Sequence, residues 1–334
     1  MNQIKTRPTV TSLARNLNVS RQTISNAIHH PERLQPNTLA KIQAEIKRQG
    51  YVPSTVARQL RSQRTNVFCY RLHPVFEGIN GNILDRFLHS LVETVEESGY
   101  SILVFAAEDD EDEARHIIAL HKRGVIDGAI LTSSTDRDRR PRQLFEAGVP
   151  AVVFGRPWND PDSPVSWVDV DGKAGTRQAT TILRQAGHER IGWIGWLPEV
   201  GVGYDRHMGY IEAMGEHHDT TMEIAVPDST EAGRRAAEEL IHRGATALVC
   251  ASDSLALGAV TSGTIEHSNV FGFDDTPVAR AMNLNSVAQP IEDTAHGAFI
   301  VLHRNLGSAQ QASGQLMEAV PVVRTTPYMK GNPQ

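Results

Sequence analysis

Hydrogen-bonding and aromatic side chains follow the carboxyl ends of several apolar runs in residues 66–334. In an open α/β sheet, ligands bind in the crevice outside such strand ends. Carboxylates and a guanidinium can share a pair of hydroxyl groups, and an indole ring offers an apolar wall to a C–H face, so this chemistry suits a sugar. The candidate ligand residues are Phe76, Ser133, Arg156, Trp158, Trp196, Tyr204, Asp205, Arg206, Asp253, Asp274 and Gln289, with Glu77 and Ser134 beside them.

A second set of polar side chains lies in residues 19–32, which read VSRQTISNAIHHPE. Helical spacing turns Ile24, Ala27 and Ile28 inward, so the polar residues between them face outward. Arginine suits guanine in a major groove, and glutamine or asparagine suits adenine. The outward candidates are Ser20, Arg21, Gln22, Thr23, Ser25 and Asn26.

The charge distribution fits a polyanionic partner for this end of the chain. Residues 1–65 contain eleven Lys or Arg and two acids, a net charge of +9, and the remainder carries −15. A solvated basic surface would give the same count, so charge alone leaves both interpretations open. Helical spacing on both sides of a break at Asn18, and a third helix that ends at Gly50, predict three small helices in a helix-turn-helix arrangement.

The remaining composition argues against several other classes of protein. No run reaches the roughly 18–20 apolar residues of a membrane span, and the N-terminus lacks the apolar core of a secretory signal. Cys69 and Cys250 lie far apart in apolar runs, so we expect buried thiols and a cytoplasmic protein, associated with the nucleoid when it is bound to DNA. Neither a nucleophile elbow nor a set of metal ligands appears, since His29 and His30 are adjacent on a helix. No enzymatic activity, cofactor or metal is therefore expected.

Residues 66–275 alternate between apolar strands and amphipathic helices. This alternation predicts doubly wound parallel sheets in two similar α/β halves, the second beginning at VSWVDVD, residues 165–171. The predicted fold is an all-α helix-turn-helix head followed by an α/β sensor of two parallel-sheet subdomains.

The run from Thr9 to Leu60 resembles the DNA-binding head of the lac repressor family of bacterial transcription regulators. The match rests on the recognition-helix pattern at 19–29 and on a hinge pattern at 51–60. The resemblance implies that polar residues of the recognition helix contact phosphates and base edges. It also implies that Leu60, on the paired hinge helices of a dimer, wedges between base steps in the minor groove. The implied DNA contacts are Ser20, Arg21, Gln22, Thr23, Ser25, Asn26, Ala57, Arg58 and Leu60.

The body is similar to the sensor domain of the same family, which resembles periplasmic sugar-binding proteins. The matching motifs include GRPW, VDVDGKAG, YDRHMGY, CASDSLALG and GFDDTPVA. The resemblance makes Arg206 and Asp274 the strongest effector contacts. It implies a homodimer on a near-palindromic double-stranded operator, controlled by a mono- or oligosaccharide bound between the halves. The resemblance implies a DNA-binding domain at 1–53, a hinge helix at 54–64, and an effector-binding and dimerisation domain at 65–330, with passages between its halves near 163–166, 289–293 and 319–323. One departure is the segment 259–270, which is shorter than is usual in the family.

Two functions remain open on the sequence alone. The first is a ligand-controlled repressor, in which the effector changes the angle between the halves and unseats hinge helices that are too short to be stable alone. The second is a sugar-binding protein or sugar-modifying enzyme without DNA-dependent regulation, and the basic head favours the first. The sequence does not name the effector, since purine-sensing relatives use the same scaffold. It does not say whether the effector releases or strengthens DNA binding.

Overall fold

The structure is a computed structural model that describes residues 8–51, 64–73, 82–196, 201–307 and 312–328. The chain divides into two compact units, residues 1–65 and 66–334, which we call the head and the body. Four predicted contacts and nearly all of the predicted hinge helix lie outside the described residues. Within the described ranges, no helix has both the length and the apolar character needed to span a membrane. The four contacts are Ala57, Arg58, Leu60 and Phe76, and Glu77 is likewise outside.

Three helices form the described head: α1 (Val10–Leu17), α2 (Arg21–His29) and α3 (Pro36–Gln49). Thr9 begins α1 through a reciprocal capping box, and Ser20 begins α2 by accepting a hydrogen bond from the third residue of the helix. Asn18 occupies the turn between α1 and α2 with a φ of 52°, a left-handed conformation that asparagine tolerates. The predicted helix-turn-helix is confirmed.

The inward faces of the three helices share a small hydrophobic core. Helical spacing places one apolar side chain per turn on this face, so the opposite face of α2 is left to solvent. The polar residues of α2 therefore point outward because the other face of the helix is the core. The buried core residues are Leu13, Ala14, Ile24, Ala27, Ile42 and Tyr51.

The described body contains two six-stranded sheets. Strands of the first sheet are β1 (Val67–Arg71), β2 (Ser101–Phe105), β3 (Gly128–Leu131), β4 (Ala151–Phe154), β5 (Ser166–Asp171) and β11 (Gly314–Glu318). Their order is β11-β5-β4-β3-β1-β2, and every pair is parallel. The helices between these strands are α4 (Asn82–Glu97), α5 (Asp110–Lys122) and α6 (Arg140–Glu146).

Strands of the second sheet are β6 (Ile191–Gly195), β7 (Glu223–Ala225), β8 (Ala247–Cys250), β9 (Val270–Asp274), β10 (Asn285–Ala288) and β12 (Val320–Val322). Their order is β12-β10-β9-β8-β6-β7, and only β12 among them runs antiparallel to its neighbour. The remaining described α-helices are α7 (Gly172–Gln185), α8 (Val202–Met214), α9 (Thr230–His242), α10 (Asp253–Thr261), α11 (Pro277–Ala281) and α12 (Ile291–Asn305). The predicted pair of doubly wound halves is confirmed.

The chain passes between the two halves at three points in the described residues. The first passage lies between Asp171 and Gly172, because β5 pairs with β4 while α7 packs with α8 and the second sheet. The prediction placed it near 163–166 and gave VSWVDVD to the second half, which is wrong: an apolar run predicts a strand but not the neighbour with which it pairs. The later passages lie at 289–290 and at Ala319.

Four strands in the interior of the two sheets are fully buried, as is typical of parallel sheets. Each residue of β3, β6, β8 and β9 is buried, as expected for strands covered on both faces by helices. Cys69 and Cys250 lie in this interior as free thiols, and burial raises the pKa of both above its ordinary value. Both cysteines therefore act as small apolar residues of the core.

Candidate functional site

A cavity of about 220 Å³ lies between the carboxyl ends of the two sheets of the body. Residues at the ends of β3, β4 and β5 form one wall, and residues at the ends of β6 and β9 and at the start of α8 form the other. Apolar side chains surround a small number of charged groups, which is the usual make-up of a small-molecule site. The lining residues that the sequence predicted are Ser133, Ser134, Trp158, Trp196, Asp205, Arg206, Asp274 and Gln289.

Arg206 in α8 is 5% exposed and is the main cation of the second wall. Its Nη2 lies 3.2 Å from Asp274 Oδ1, and its Nη1 donates to the carbonyl oxygen of Ala251 at 2.6 Å. The guanidinium also lies 3.7 Å from the ring centroid of Phe273. Its Nε is buried and has no hydrogen-bond partner among the described residues. A buried donor without a partner beside a cavity indicates where a ligand oxygen would bind.

Asp274 ends β9 with a φ of 107°, in the left-handed region that is strained for a residue other than glycine. Its Oδ1 accepts a hydrogen bond from Gln289 Nε2 at 2.6 Å. Burial raises the pKa of Asp274 to about 7, while Arg206 lowers it and Asp253 raises it further. Backbone strain and a strongly shifted pKa in one cleft residue favour a functional role.

The raised pKa of Asp274 predicts a specific pH dependence of stability. Between about pH 4 and pH 7 the folded body retains a proton that the unfolded chain releases, so the free energy of unfolding falls as pH rises through this window. We expect Asp274→Asn to remove part of that fall. The melting temperature of wild type minus that of the variant should decrease from about pH 4.5 to about pH 7.5.

Calorimetric melts across this pH range test the expectation. Asp253, whose pKa burial raises to about 6, remains in the variant and contributes a slope of the same sign. The comparison must therefore use the difference between the two proteins, with the exposed Asp162→Asn as a control that leaves the profile unchanged. Parallel profiles for wild type and Asp274→Asn would contradict the assignment.

Arg156 follows β4 in the first half and bridges to the second. Its Nε donates to Asp169 Oδ2 and its Nη2 to Asp205 Oδ2, both at 2.8 Å. Asp205 also accepts from the backbone N–H of Lys173 at 2.9 Å, and the guanidinium lies 4.6 Å from the ring centroid of Trp158. Burial raises the pKa of both carboxyls, and Arg156 opposes that shift. This ion bridge links the two halves at the edge of the cavity.

Two tryptophans supply aromatic surface, one from each half. Trp158 follows β4, Trp196 follows β6, and both line the cavity. Both indole Nε1 atoms are buried without a hydrogen-bond partner in the part of the chain that the structure describes. Gly203 allows α8 to approach Trp196, since a Cβ at this position would lie 2.8 Å from a ring carbon. An apolar face beside an unpartnered N–H suits a sugar ring and its hydroxyl groups.

Three predicted ligand residues do not line the cavity. Tyr204 is 45% exposed, because successive helical residues are about 100° apart and it points away where Asp205 points in. Asp253 accepts hydrogen bonds from Thr276 N at 2.7 Å and Ser286 Oγ at 2.6 Å, so it supports the loop after β9. Both side chains therefore lie outside the cavity lining of this structure. Arg156 lies behind the wall and donates hydrogen bonds to the lining carboxylates of Asp169 and Asp205.

Asp169 is the charged lining residue that the sequence analysis missed. It lies in β5 between two buried valines, and the end of β5 reaches the cavity because this strand belongs to the first sheet. The sequence analysis assigned VSWVDVD to the second half, so it did not place Asp169 at a strand end of the first sheet. The alternating VDVD pattern is the sequence signal that could have identified this residue. The other lining residues not predicted are Ile83, Leu84, Phe154, Gly155, Val170, Gly172, Val202 and Phe273.

The second candidate site is the outward face of α2 in the head. Arg21 and Gln22 are exposed there, and the other polar residues are exposed or half-buried. Gln22 Nε2 donates to Asn26 Oδ1 at 3.0 Å, which pairs two amides on the helix surface. Ser20 and Thr23 pair their hydroxyl oxygens at 2.8 Å at the start of the helix. Amide and guanidinium groups on one exposed helix face are the groups that read base edges in a major groove.

Two parallel-sheet halves with a cavity at their strand ends define the body as a binding-protein-like sensor. Residues 85–283 match the family described as periplasmic binding proteins and sugar binding domain of LacI family. The HTH-type transcriptional regulator CelR of Thermobifida fusca is 33% identical over 86% of this chain and 88% of that protein. The chain therefore belongs to the LacI family, and it is a helix-turn-helix transcriptional regulator.

Solved structures agree with this placement. A transcriptional regulator CelR–cellobiose complex is 26% identical, with a TM-score of 0.68 over 96% of this chain and 100% of that one. The lac repressor dimer bound to operator and the anti-inducer ONPF has a TM-score of 0.78 over 97% and 100% of the two chains. At 18% identity, the second comparison establishes the shared fold.

Proposed function

We propose that the protein is a dimeric, sequence-specific repressor whose operator affinity is set by a small sugar in the body cavity. Residues 1–53 are the DNA-binding domain, 54–64 the hinge, and 65–330 the effector-binding and dimerisation domain. A two-fold dimer presents two heads to a near-palindromic operator, one for each half-site. Bound to its operator, such a protein is associated with the nucleoid of the cytoplasm.

One observation carries the assignment of the ligand: three residues that line the cavity each carry a buried N–H donor with no hydrogen-bond partner among the described residues. The donors are Nε of Arg206 and Nε1 of Trp158 and Trp196. A buried donor left unpaired is costly, so a ligand that offers several oxygen acceptors gains by satisfying them. Sugar hydroxyls accept and donate at once, and the carboxylate of Asp274 supplies an acceptor for the donated hydrogen.

The charges of the site favour a neutral ligand over a phosphorylated or acidic sugar. Arg206 pairs with Asp274, and Arg156 pairs with Asp169 and Asp205. Both arginines of this cluster therefore already have a carboxylate partner and are not available to neutralise an anionic ligand. An anionic ligand would meet these carboxylates in a poorly solvated cleft, where like charges repel strongly. A neutral sugar avoids this repulsion and still uses charge-assisted hydrogen bonds.

Cellobiose is the first effector to test. The CelR complex named above contains cellobiose, and its chain aligns with nearly all of this one. A β-linked glucose disaccharide exposes flat apolar ring faces, for which the indoles of Trp158 and Trp196 offer partners. We propose that this class of sugar fills the cleft, and that it changes operator affinity by altering how the Arg156–Asp205 bridge holds the two halves together.

The proposal predicts selective binding by the purified protein. Titration calorimetry should give a saturable isotherm with cellobiose and none with glucose 6-phosphate or adenine at the same concentrations. Thermal melts should show the matching stabilisation, since a ligand that binds only the folded state raises its stability by mass action. Binding of glucose 6-phosphate in preference to cellobiose would contradict the charge argument, and binding of adenine alone would contradict the sugar assignment.

A further inference from the structure

A buried ion cluster lies next to the cavity in the first half of the body, outside the set of lining residues. Arg140, the first residue of α6, is 1% exposed, and Glu113 in α5 is fully buried. Arg140 Nη1 donates to Glu113 Oε2 at 2.6 Å, and its Nε and Nη2 form a fork on Asp138 at 2.9 and 2.7 Å. A buried ion pair seldom stabilises a fold more than apolar side chains would, so stability alone does not account for the cluster.

The guanidinium of Arg140 also holds the backbone that leads into the cavity. Its Nη2 donates to the carbonyl oxygen of Thr132 at 2.9 Å and to that of Ser133 at 3.4 Å. The backbone N–H of Arg140 donates to Asp138 Oδ1 at 2.9 Å. Because the guanidinium of Arg140 contacts both Thr132 and Asp138, it ties together the two ends of the loop 132–140. Ser133 has a φ of 56°, a conformation that persists only when its surroundings enforce it.

The loop held in this way forms part of the cavity wall. Ser133 and Ser134 both line the cavity, and Ser134 Oγ donates to the carbonyl oxygen of Arg156 at 2.9 Å. Gly155 has a φ of 127°, and a Cβ there would lie 3.0 Å from Ser134 Cβ. The turn therefore packs tightly against the chain that carries Arg156, and a displaced turn would also move the bridge between the halves.

A second arginine extends the cluster to the neighbouring strands. Arg71, at the end of β1, donates from Nη1 to Glu113 Oε2 at 3.1 Å and from Nη2 to the carbonyl oxygen of Ala107 at 3.1 Å. Glu113 Oε2 thus accepts from both arginines. Charge-assisted hydrogen bonds therefore fix the end of β1, at Arg71, relative to the residues that follow β2 and β3.

We propose that Arg140 is a positioning residue for the effector: it touches no ligand, but it sets the Ser133–Ser134 wall and through it the affinity for sugar. The inference rests on the proposed function, since it requires a sugar in this cavity. Hydrogen bonds weaken steeply as their geometry departs from the optimum, so a wall that is slightly misplaced loses much of its contribution. Lysine at this position keeps the charge but lacks the planar fork that reaches Asp138 and the two carbonyls.

The test combines Arg140→Lys with the double variant Ser133→Ala/Ser134→Ala and measures cellobiose affinity by calorimetry. Arg140→Lys should weaken binding about tenfold, the effect of losing one well-formed hydrogen bond to the sugar. In the background of the double variant the same change should cost less than about twofold, because both hydroxyl groups that Arg140 positions are already absent. Equal losses in both backgrounds would indicate a general structural effect and overturn the proposal. The control is Arg142→Lys, on the same helix with an exposed ion pair to Asp160, which should bind as wild type.

Hydrogen exchange of the protein without ligand supplies an independent readout. In Arg140→Lys, peptides covering 132–139 should exchange faster than in Arg142→Lys, while peptides from the second sheet remain unchanged. Unchanged exchange at 132–139 would overturn the positioning role. Failure of wild type to bind cellobiose would refute the effector class, and the exchange result would still decide the role of Arg140. If Arg140→Lys does not fold, Asp138→Asn removes the carboxylate that accepts both hydrogen bonds of the Arg140 fork. This variant should show the same faster exchange at 132–139.

Discussion

Arg206→Ala is expected to abolish the response to effector while leaving the affinity for operator intact. The side chain provides a buried cation, an Nε with no partner among the described residues and the ion pair to Asp274, and alanine supplies none of these. Hydrogen bonds to charged groups contribute about 1.5–3 kcal/mol each, so sugar affinity should fall by about a hundredfold or more. Operator affinity should stay within about twofold of wild type, since the change lies in the body.

Operator and sugar titrations on the same preparation check this expectation. Alanine leaves Asp274 buried without its cation, which destabilises the body, so thermal melts must accompany the titrations. Arg206→Lys retains the charge but loses the forked geometry, and its sugar affinity should also fall. Arg177→Ala removes an arginine that is about half exposed and lies near Glu212 on α8, and it should bind sugar as wild type does. Equal loss of operator and sugar binding in Arg206→Ala would refute its role as a ligand contact.

Gln22→Ala is expected to weaken binding to the specific operator by about 10–100-fold, the usual effect of removing one bidentate contact to a base. The side chain is exposed on α2 and holds no position in the core of the head, so the fold should be unaffected. Affinity for DNA that lacks the operator sequence should change little, because phosphate contacts dominate non-specific binding. Sugar affinity should be that of wild type.

Fluorescence anisotropy with an operator selected from a random duplex library, and with a scrambled duplex, measures both affinities. Gln43→Ala, an exposed glutamine on α3, is the matched control and should retain specific binding. The slope of affinity against salt should be equal in wild type and variant, since no phosphate contact is removed. A parallel loss on both duplexes would mean that Gln22 holds the backbone and does not read a base.

Much of the architecture was predictable because local patterns determine it. A cap at Ser20, an inward stripe through Ile24, and Asn18 in a tight turn specify the helix-turn-helix without reference to distant residues. Apolar runs separated by amphipathic helices specify parallel sheets for the same reason. Arg206 and Asp274 could be predicted because strand ends in this fold class meet at one crevice.

The errors arose where the outcome depends on which elements meet. Nothing local in VSWVDVD says that the strand pairs with β4, so Asp169 was missed and the first passage was placed too early. Tyr204 and Asp253 have the residue types of ligand contacts, but helix rotation exposes the first and hydrogen bonds to Thr276 and Ser286 engage the second. The cluster of Arg140 and Glu113 joins residues that lie far apart in sequence, and spacing alone gives no sign of it.

Operator titrations with and without saturating cellobiose test the central claim most directly, which is that the cleft controls the head. Coupled sites commonly change each other's affinity by about 5–150-fold, and the change must be reciprocal. We predict that cellobiose shifts the operator affinity of wild type within this range, and that saturating operator shifts cellobiose affinity by the same factor. Cellobiose that binds the cleft and leaves operator affinity unchanged would contradict the claim.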